Sequence, residues 1–310
     1  MAILFRPVFD YDTRDWIPAL QKEFSGYDLR IAPDIGDPAD IHYLVGWKLF
    51  EGDRKAWPNL KAVLPLSTGV DRFIGHPDFP EGAQLVRMIE PGLNHGMAEY
   101  VASFVLRFHR EHDRWHQAQK TQNWIHDIPK TAHERSVGFL GLGNLAHSCI
   151  EMIRPFGFCI RGWSRRPQTH KGIETFHGQE QLKEFLAGTD ILVCLLPLTP
   201  QTTDILNKET LSVLPVGACL INSARGKELV DDDLISLLDS GHLSYAALDV
   251  YRQEPLPVTH PFWNHPRILM TPHIAAVTIP TTGVQALRQA IDMIERGEQP
   301  AGLIDFNKGY

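Results

Sequence analysis

Cysteine is scarce in this chain, positive charge is outnumbered and no apolar run is long. Each deficit removes a class of protein. The four cysteines, Cys149, Cys159, Cys194 and Cys219, stand far apart in apolar settings. That pattern excludes a disulfide framework and a cysteine metal site, and it predicts buried thiols in a reducing compartment. The 30 Lys and Arg against 37 Asp and Glu leave a net charge of −7. Such a balance does not suit nucleic acid or an anionic membrane, although it leaves room for a local basic pocket that takes a small anion. No stretch reaches the length of a membrane span, and Met1-Ala2-Ile3-Leu4-Phe5-Arg6-Pro7 lacks a signal-peptide plan. The cytoplasm is therefore the expected location. Internal short repeats and low-complexity segments are also absent.

What is present is ordinary for a globular protein, with 43% hydrophobic and 22% charged residues. A length of 310 residues exceeds one comfortable core, so two domains are expected. The first part alternates short apolar runs with polar or helical stretches, giving candidate strands at 3–8, 29–32, 43–47, 62–66 and 85–88. From 97 to 119 apolar residues recur at three- and four-residue spacings and predict one helix, followed by a polar loop or arm through Trp124. A second alternating series predicts strands at 137–141, 158–163, 191–196, 218–222, 246–250 and 268–270, and a last helix over 281–296. The expected division is 1–100, completed by 282–310, against 101–281.

The most informative stretch is Ser136-Val137-Gly138-Phe139-Leu140-Gly141-Leu142-Gly143-Asn144-Leu145-Ala146. It reads as a strand, a tight turn and a helix start in the pattern Gly-x-Gly-x-x-Ala. Gly141 permits the turn, Gly143 lets backbone approach a pyrophosphate, and Ala146 lets the helix pack closely on the strand. The helix start at Asn144 and Leu145 then offers unpaired N–H groups and a positive dipole end to phosphates. A bare glycine pattern is weak by itself, because many strand–helix junctions use one.

The next strand, 158–163, adds to it. Its end is where dinucleotide folds that select NAD(H) place an acidic residue on the ribose hydroxyls. Here Ser164 takes that slot, 18 residues after Ala146, with Arg165 and Arg166 behind it. A hydroxyl and two guanidinium groups suit a 2′-phosphate, so the sequence points to NADP(H), with NAD(H) as the weaker cofactor. The plain alternative is a solvated basic turn.

Three polar residues follow later strands, where ligands bind in open α/β sheets. Arg225 follows Asn222-Ser223-Ala224, Glu254 closes Asp249-Val250-Tyr251-Arg252-Gln253, and His273 follows Thr271-Pro272. Each has a dull reading: a helix-cap partner, a solvated carboxylate, one of 15 histidines. Together they supply a cation for a substrate carboxylate, a proton donor for a ketone oxygen, and a carboxylate that orients the donor. His112 and His116, one helical turn apart, have a spacing that can bind zinc. They lack a third ligand and the His-Glu-x-x-His order, so they read as a solvated face or subunit contact and no metal is expected.

These motifs carry a resemblance. The chain resembles the D-isomer-specific 2-hydroxyacid dehydrogenase family over nearly its whole length, through Val137-Gly138-Phe139-Leu140-Gly141-Leu142-Gly143, Leu195-Leu196-Pro197-Leu198-Thr199-Pro200-Gln201-Thr202, Asn222-Ser223-Ala224-Arg225-Gly226, Asp249 to Pro255, and Thr271-Pro272-His273. Their order and spacing also match, with 29 residues from Arg225 to Glu254 and 19 from Glu254 to His273. Within the family it looks most like the NADP-preferring glyoxylate/hydroxypyruvate reductases, on Trp163-Ser164-Arg165-Arg166, Leu256-Pro257 and the ending Asn307-Lys308-Gly309-Tyr310.

The resemblance implies an α/β protein of two Rossmann-like parallel-sheet domains, one flavodoxin-like and substrate-binding, the other dinucleotide-binding, with an active-site cleft between them. It implies Arg225, Glu254 and His273 as catalytic residues, and Pro197, Thr202 and Asp249 as cofactor contacts, Asp249 on the nicotinamide carboxamide. Thr68 and Gly69 would hold the substrate carboxylate through backbone N–H groups. The family loop is usually of small-Gly-Ala-Gly type, and Ser67-Thr68 replaces two small residues here. Trp47 looks like a pocket wall, with an ordinary core or interface tryptophan as the alternative. The implied activity is NADPH-dependent reduction of glyoxylate and hydroxypyruvate by a homodimer joined through 97–119 and the following arm. A bulkier keto acid such as an aryl-pyruvate, and a dinucleotide-sensing corepressor-like protein, stand as alternatives.

Overall fold

A computed structural model describes residues 1–306; the ending Asn307-Lys308-Gly309-Tyr310 lies outside the described residues. Two compact units emerge. One is Met1–Leu93 with the described residues from Val277 onward, the other Asn94–Ala276.

The first unit holds five strands: β1 (Ala2–Arg6), β2 (Asp28–Ile31), β3 (Ile41–Gly46), β4 (Ala62–Pro65) and β5 (Gln84–Leu85). All pairings are parallel, in the order β2-β1-β3-β4-β5. Parallel strands covered on both faces need continuous apolar runs, and β1 and β4 are buried almost end to end. One face packs Leu4, Leu44, Val63 and Leu85 together with Ile304. The helix Pro280–Glu295 belongs to this unit, and its buried stripe is Val284, Leu287 and Ile291.

The second unit carries seven strands: β6 (Ser136–Leu140), β7 (Cys159–Ser164), β8 (Glu174–His177), β9 (Ile191–Cys194), β10 (Ala218–Asn222), β11 (Leu243–Leu248) and β12 (Ile268–Met270). They are parallel throughout, in the order β12-β11-β10-β9-β6-β7-β8. Period-2 alternation sends Leu140, Leu192, Leu220 and Leu248 into one core layer and Phe139, Val193, Ile221 and Ala247 into the other. The chain runs β6-β7-β8 in one direction and β9-β10-β11-β12 in the other, so the order reverses between β6 and β9. In a doubly wound sheet, the carboxyl ends at that reversal form the ligand crevice.

Three local features depart from the sequence reading. β8 was not expected, because Glu174-Thr175-Phe176-His177 is an edge strand that buries only Phe176 and so lacks an apolar run. The single helix expected at 97–119 is two, Pro91–His109 and His112–Lys120, broken where Glu111 turns left-handed at φ 54°. The break is satisfied by side chains: the Trp115 indole donates to the Arg110 carbonyl, and Glu111 pairs with Arg114 and Arg135. Finally, Cys149, Cys194 and Cys219 are buried, but Cys159, the first residue of β7, is exposed.

Candidate active site

The turn after β6 is built as the glycine pattern requires. Gly141 has φ +98°, and a Cβ there would lie 2.9 Å from the Leu195 carbonyl oxygen, so both conformation and space demand glycine. Gly143 is exposed with open space above its Cα. The helix Asn144–Ile153 begins on Gly143 with no side-chain cap, leaving the N–H groups of its first turn directed outward at the strand-order reversal. Ala146 is buried against the strand. This donor set fits a pyrophosphate, as the helix dipole favours an anion at the same place.

At the end of β7, Ser164 is only 6% exposed and its Oγ donates to the Arg166 carbonyl at 2.7 Å. The hydroxyl thus shapes the turn on which Arg165 and Arg166 stand exposed. Pro197 is exposed, whereas Thr202 is committed to its own turn, donating to the Pro197 carbonyl at 2.7 Å and accepting the Thr199 N–H at 2.7 Å.

Arg225, Glu254 and His273 follow β10, β11 and β12, three adjacent strands, on one edge of the sheet. Asn222 is wholly buried and ties the Arg225 turn, accepting the Ala224 N–H and donating to the Arg225 carbonyl. Buried Glu228 accepts the Arg225 backbone N–H at 3.3 Å. Gly226 lies so close to the Tyr251 backbone that a Cβ would meet the Tyr251 carbonyl carbon at 1.8 Å. Only glycine lets the Arg225 turn and the Tyr251–Glu254 segment come together.

His273 Nδ1 lies 2.9 Å from Glu254 Oε2, and Glu254 Oε1 accepts the Tyr251 N–H at 3.1 Å. A carboxylate facing Nδ1 accepts the N–H of that nitrogen, fixes the proton there and leaves Nε2 to exchange with a ligand. His273 itself is left-handed at φ 56°, a region few non-glycine residues occupy, and it is held there by its neighbours. Asp249, 2% exposed, does the holding. Its carboxylate accepts the Thr271 hydroxyl at 2.6 Å and the N–H groups of Ile274 and Ala275 at 2.9 Å each. Tyr100 reaches Thr271 Oγ1 at 2.8 Å, and the Tyr251 hydroxyl donates to the Leu248 and Thr271 carbonyls. Burial is the main cause that raises the pKa of both phenols, so they remain neutral donors.

Asn222, Tyr100, Tyr251 and Thr271 were not singled out in the sequence reading. Asn222, Tyr251 and Thr271 stand inside recognised motifs, but Tyr100 sits in an apolar helical stripe and carries no separate signal. His112 and His116 lie on the helix His112–Lys120 and line an open surface cavity with Ser103, Phe104, Leu106 and Arg107. Among the described residues, no group of three or more His, Cys, Asp and Glu side chains could hold a metal ion.

In the first unit, the loop after β4 carries Thr68 and Gly69. The Ser67 hydroxyl donates to the Gly69 carbonyl, Thr68 Oγ1 to the Met88 carbonyl, and buried Thr278 Oγ1 to the Leu66 carbonyl at 2.7 Å. Among the described residues, the N–H groups of Thr68 and Gly69 make no hydrogen bond. Trp47 follows β3, partly buried, and its indole N–H donates to Asp12.

Residues 102–275 match the model of the "D-isomer specific 2-hydroxyacid dehydrogenase, NAD binding domain". The chain belongs to the D-isomer-specific 2-hydroxyacid dehydrogenase family. It is homologous to glyoxylate/hydroxypyruvate reductase A of Yersinia enterocolitica, 38% identical over 315 residues that span 100% of both chains. Among solved family structures, a D-isomer-specific 2-hydroxyacid dehydrogenase from Xanthobacter autotrophicus Py2 in complex with NADPH and MES is 40% identical. It superposes with a TM-score of 0.93 over 99% of each chain. An NADPH-dependent glyoxylate/hydroxypyruvate reductase from Sinorhizobium meliloti, bound to NADP and sulfate, is 30% identical with a TM-score of 0.92, covering 100% of this chain and 99% of that one. The two parallel sheets of five and seven strands are thus the family's two-domain α/β fold. No helix among the described residues is long and apolar enough to cross a membrane.

Proposed function

We propose that this chain reduces small 2-keto acids with NADPH, converting glyoxylate to glycolate and hydroxypyruvate to D-glycerate. The observation that carries the reading is the His273–Glu254 pair at 2.9 Å, on the same strand-end edge as Arg225. Bound NADPH supplies the hydride that reaches the keto carbon. His273, protonated, passes its Nε2 proton to the keto oxygen, which becomes the hydroxyl, and Glu254 holds the ring and balances its charge before transfer. Arg225 pairs with the substrate carboxylate and fixes the direction of the carbonyl.

Gly141, Gly143, Asn144 and Leu145 take the pyrophosphate in this reading, and Arg165 and Arg166, on the turn that the Ser164 hydroxyl closes, take the 2′-phosphate. Pro197, on the turn that Thr202 closes, and Asp249 complete the cofactor contacts, while Trp47, Thr68 and Gly69 contact the substrate. The bound NADPH or NADP of the Xanthobacter and Sinorhizobium proteins supports the choice of NADP(H). The reading extends to a homodimer, because Trp124 and Ile128 stand 94% and 96% exposed on the segment after His112–Lys120, too much apolar surface to leave to water. Light scattering at micromolar concentration should give twice the mass of one chain, and a monomer would remove this part. The free thiols support a reducing cytoplasm.

A panel of glyoxylate, hydroxypyruvate, pyruvate and an aryl-pyruvate, each with NADPH and NADH, tests the assignment. The two small substrates with NADPH should have the highest kcat/KM. A higher value for the aryl-pyruvate would move the assignment to a bulkier acid. Binding of NADPH without turnover of any member would point to a dinucleotide sensor.

A further inference from the structure

At the carboxyl ends of β1 and β3, where the strand order of the five-stranded sheet reverses, four aromatic rings gather around one carboxylate. Asp12 is 0% exposed. Its Oδ2 accepts the N–H groups of Val8 at 2.8 Å and Phe9 at 2.9 Å, and its Oδ1 accepts the Trp47 indole N–H at 2.8 Å. The first two bonds close Asp12's own turn. The third crosses 35 residues of chain and does nothing for that turn.

What it does is orient a ring. Trp47 meets Phe9 and Tyr11 edge-on at centroid distances of 5.9 and 6.0 Å, and Trp16 supports it from the core at 6.1 Å. Phe9 and Tyr11 stack on each other at 5.1 Å. Trp16 is buried, but Phe9 and Tyr11 remain 45% and 36% exposed, so the cluster ends in an apolar face that this unit does not itself cover. Burial, and then the charge of Asp12, pushes the Tyr11 phenol up to about 12, so this face stays uncharged at neutral pH. A strand-order reversal is where a parallel sheet offers a ligand crevice, and the loop holding Thr68 and Gly69 leaves β4, the strand beside β3.

We propose that Asp12 is a positioning residue that sets substrate choice: by holding the Trp47 indole, it makes Phe9, Tyr11 and Trp47 a rigid wall for the substituent on the substrate's keto carbon. The inference rests on the reduction proposed above. Hydroxypyruvate carries such a substituent, whereas glyoxylate has only hydrogen there and serves as the internal reference. A wall fixed before binding is paid for in folding and not at each encounter, so loosening it costs affinity for the larger substrate.

The test uses the full-length protein with NADPH and reads kcat/KM for hydroxypyruvate divided by that for glyoxylate. Asp12→Asn should lower this ratio about tenfold, with the change in hydroxypyruvate KM and not in its kcat, because the wall is touched equally in ground and transition states. Trp47→Phe keeps a ring and removes the N–H, and should lower the ratio in the same way. Combining the two should lower it no further than either alone, the signature of one shared interaction. If Asp12→Asn fails to fold by circular dichroism, Trp47→Phe decides: a lowered ratio supports the proposal and an unchanged ratio overturns it. Unchanged ratios in both single variants overturn it, as do effects that multiply in the double variant. Wild-type protein that binds NADPH but reduces neither acid would instead fail the proposed function, and this inference with it.

Discussion

Asp249 and His273 are joined twice, once directly and once through the loop between and beyond them. The His273 N–H donates to the Asp249 carbonyl at 2.8 Å, while the Asp249 carboxylate takes the hydroxyl of Thr271 on one side of the histidine and the N–H groups of Ile274 and Ala275 on the other. The left-handed backbone of His273 is therefore clamped from both sides. A single buried carboxylate does this, and its three bonds are all charge-assisted.

Asp249→Asn should show that dependence. The amide keeps one acceptor oxygen and turns an NH2 towards an N–H donor that the carboxylate satisfied. The expected cost is about 1–3 kcal/mol in unfolding free energy, read from denaturant melts. The fall in kcat should exceed what the loss of folded protein explains, because the histidine loop loosens. Stability and kcat both at wild-type level would mean that the clamp is dispensable.

The proton donor is tested by His273→Ala. Removing a positioned general acid should lower kcat by roughly 10²–10⁴. The affinity for NADPH, followed by nicotinamide fluorescence, should stay within about threefold, as His273 is absent from the glycine turn and the arginine turn. Glu254→Gln keeps an oxygen for Nδ1 and removes the charge, so its loss of kcat should be smaller. A His273→Ala protein that reduces glyoxylate at the wild-type rate would sink the assignment.

Cofactor choice should reside in the turn after β7. Two guanidinium groups at an exposed rim favour a 2′-phosphate by roughly 2–3 kcal/mol, which is about thirty- to a hundredfold in kcat/KM for NADPH over NADH. Added salt should reduce that preference. Replacing Ser164 by Asp together with Arg165→Ala should move it towards NADH, since a carboxylate repels the phosphate and one partner is lost. Because the Ser164 hydroxyl also closes the turn onto Arg166, Ser164→Ala alone should weaken NADPH binding modestly by loosening both arginines. Equal kcat/KM for the two cofactors in the wild-type protein would remove the NADP label and leave the reductase reading standing.

The thiols give a prediction independent of activity. Burial pushes the Cys149 and Cys219 thiols up to about 12 and Cys194 well above its usual value, whereas Cys159 is exposed. At pH 8 a thiol of pKa 12 is thiolate about once in 10⁴ molecules, and burial also bars the reagent. Ellman's reagent should titrate one thiol in the native protein and four after guanidinium unfolding. Two or more fast native thiols would contradict the packing around β9, β10 and the helix Asn144–Ile153.

Much of this molecule was legible in the chain because the signals were local. The Gly141 turn, the apolar strands that alternate with helices, and the order of the Arg225, Glu254 and His273 segments depend on backbone sterics, side-chain periodicity and motif spacing, all of which act over a few residues. Those sufficed for a doubly wound fold and for the chemistry expected on its strand ends. Other features had no local signal. The edge strand β8 exists because β7 offers it a ladder, and the helix after residue 91 breaks at Glu111 because Arg114, Trp115 and Arg135 converge on the break. Asp249 reaches across 22 to 26 residues to seat the histidine loop, and Asp12 across 35 to seat Trp47. A carboxylate in the sequence does not announce which distant N–H it will accept. Only the packed structure, by burying these two carboxylates where water cannot serve them, decides that each must be satisfied by a particular loop or ring.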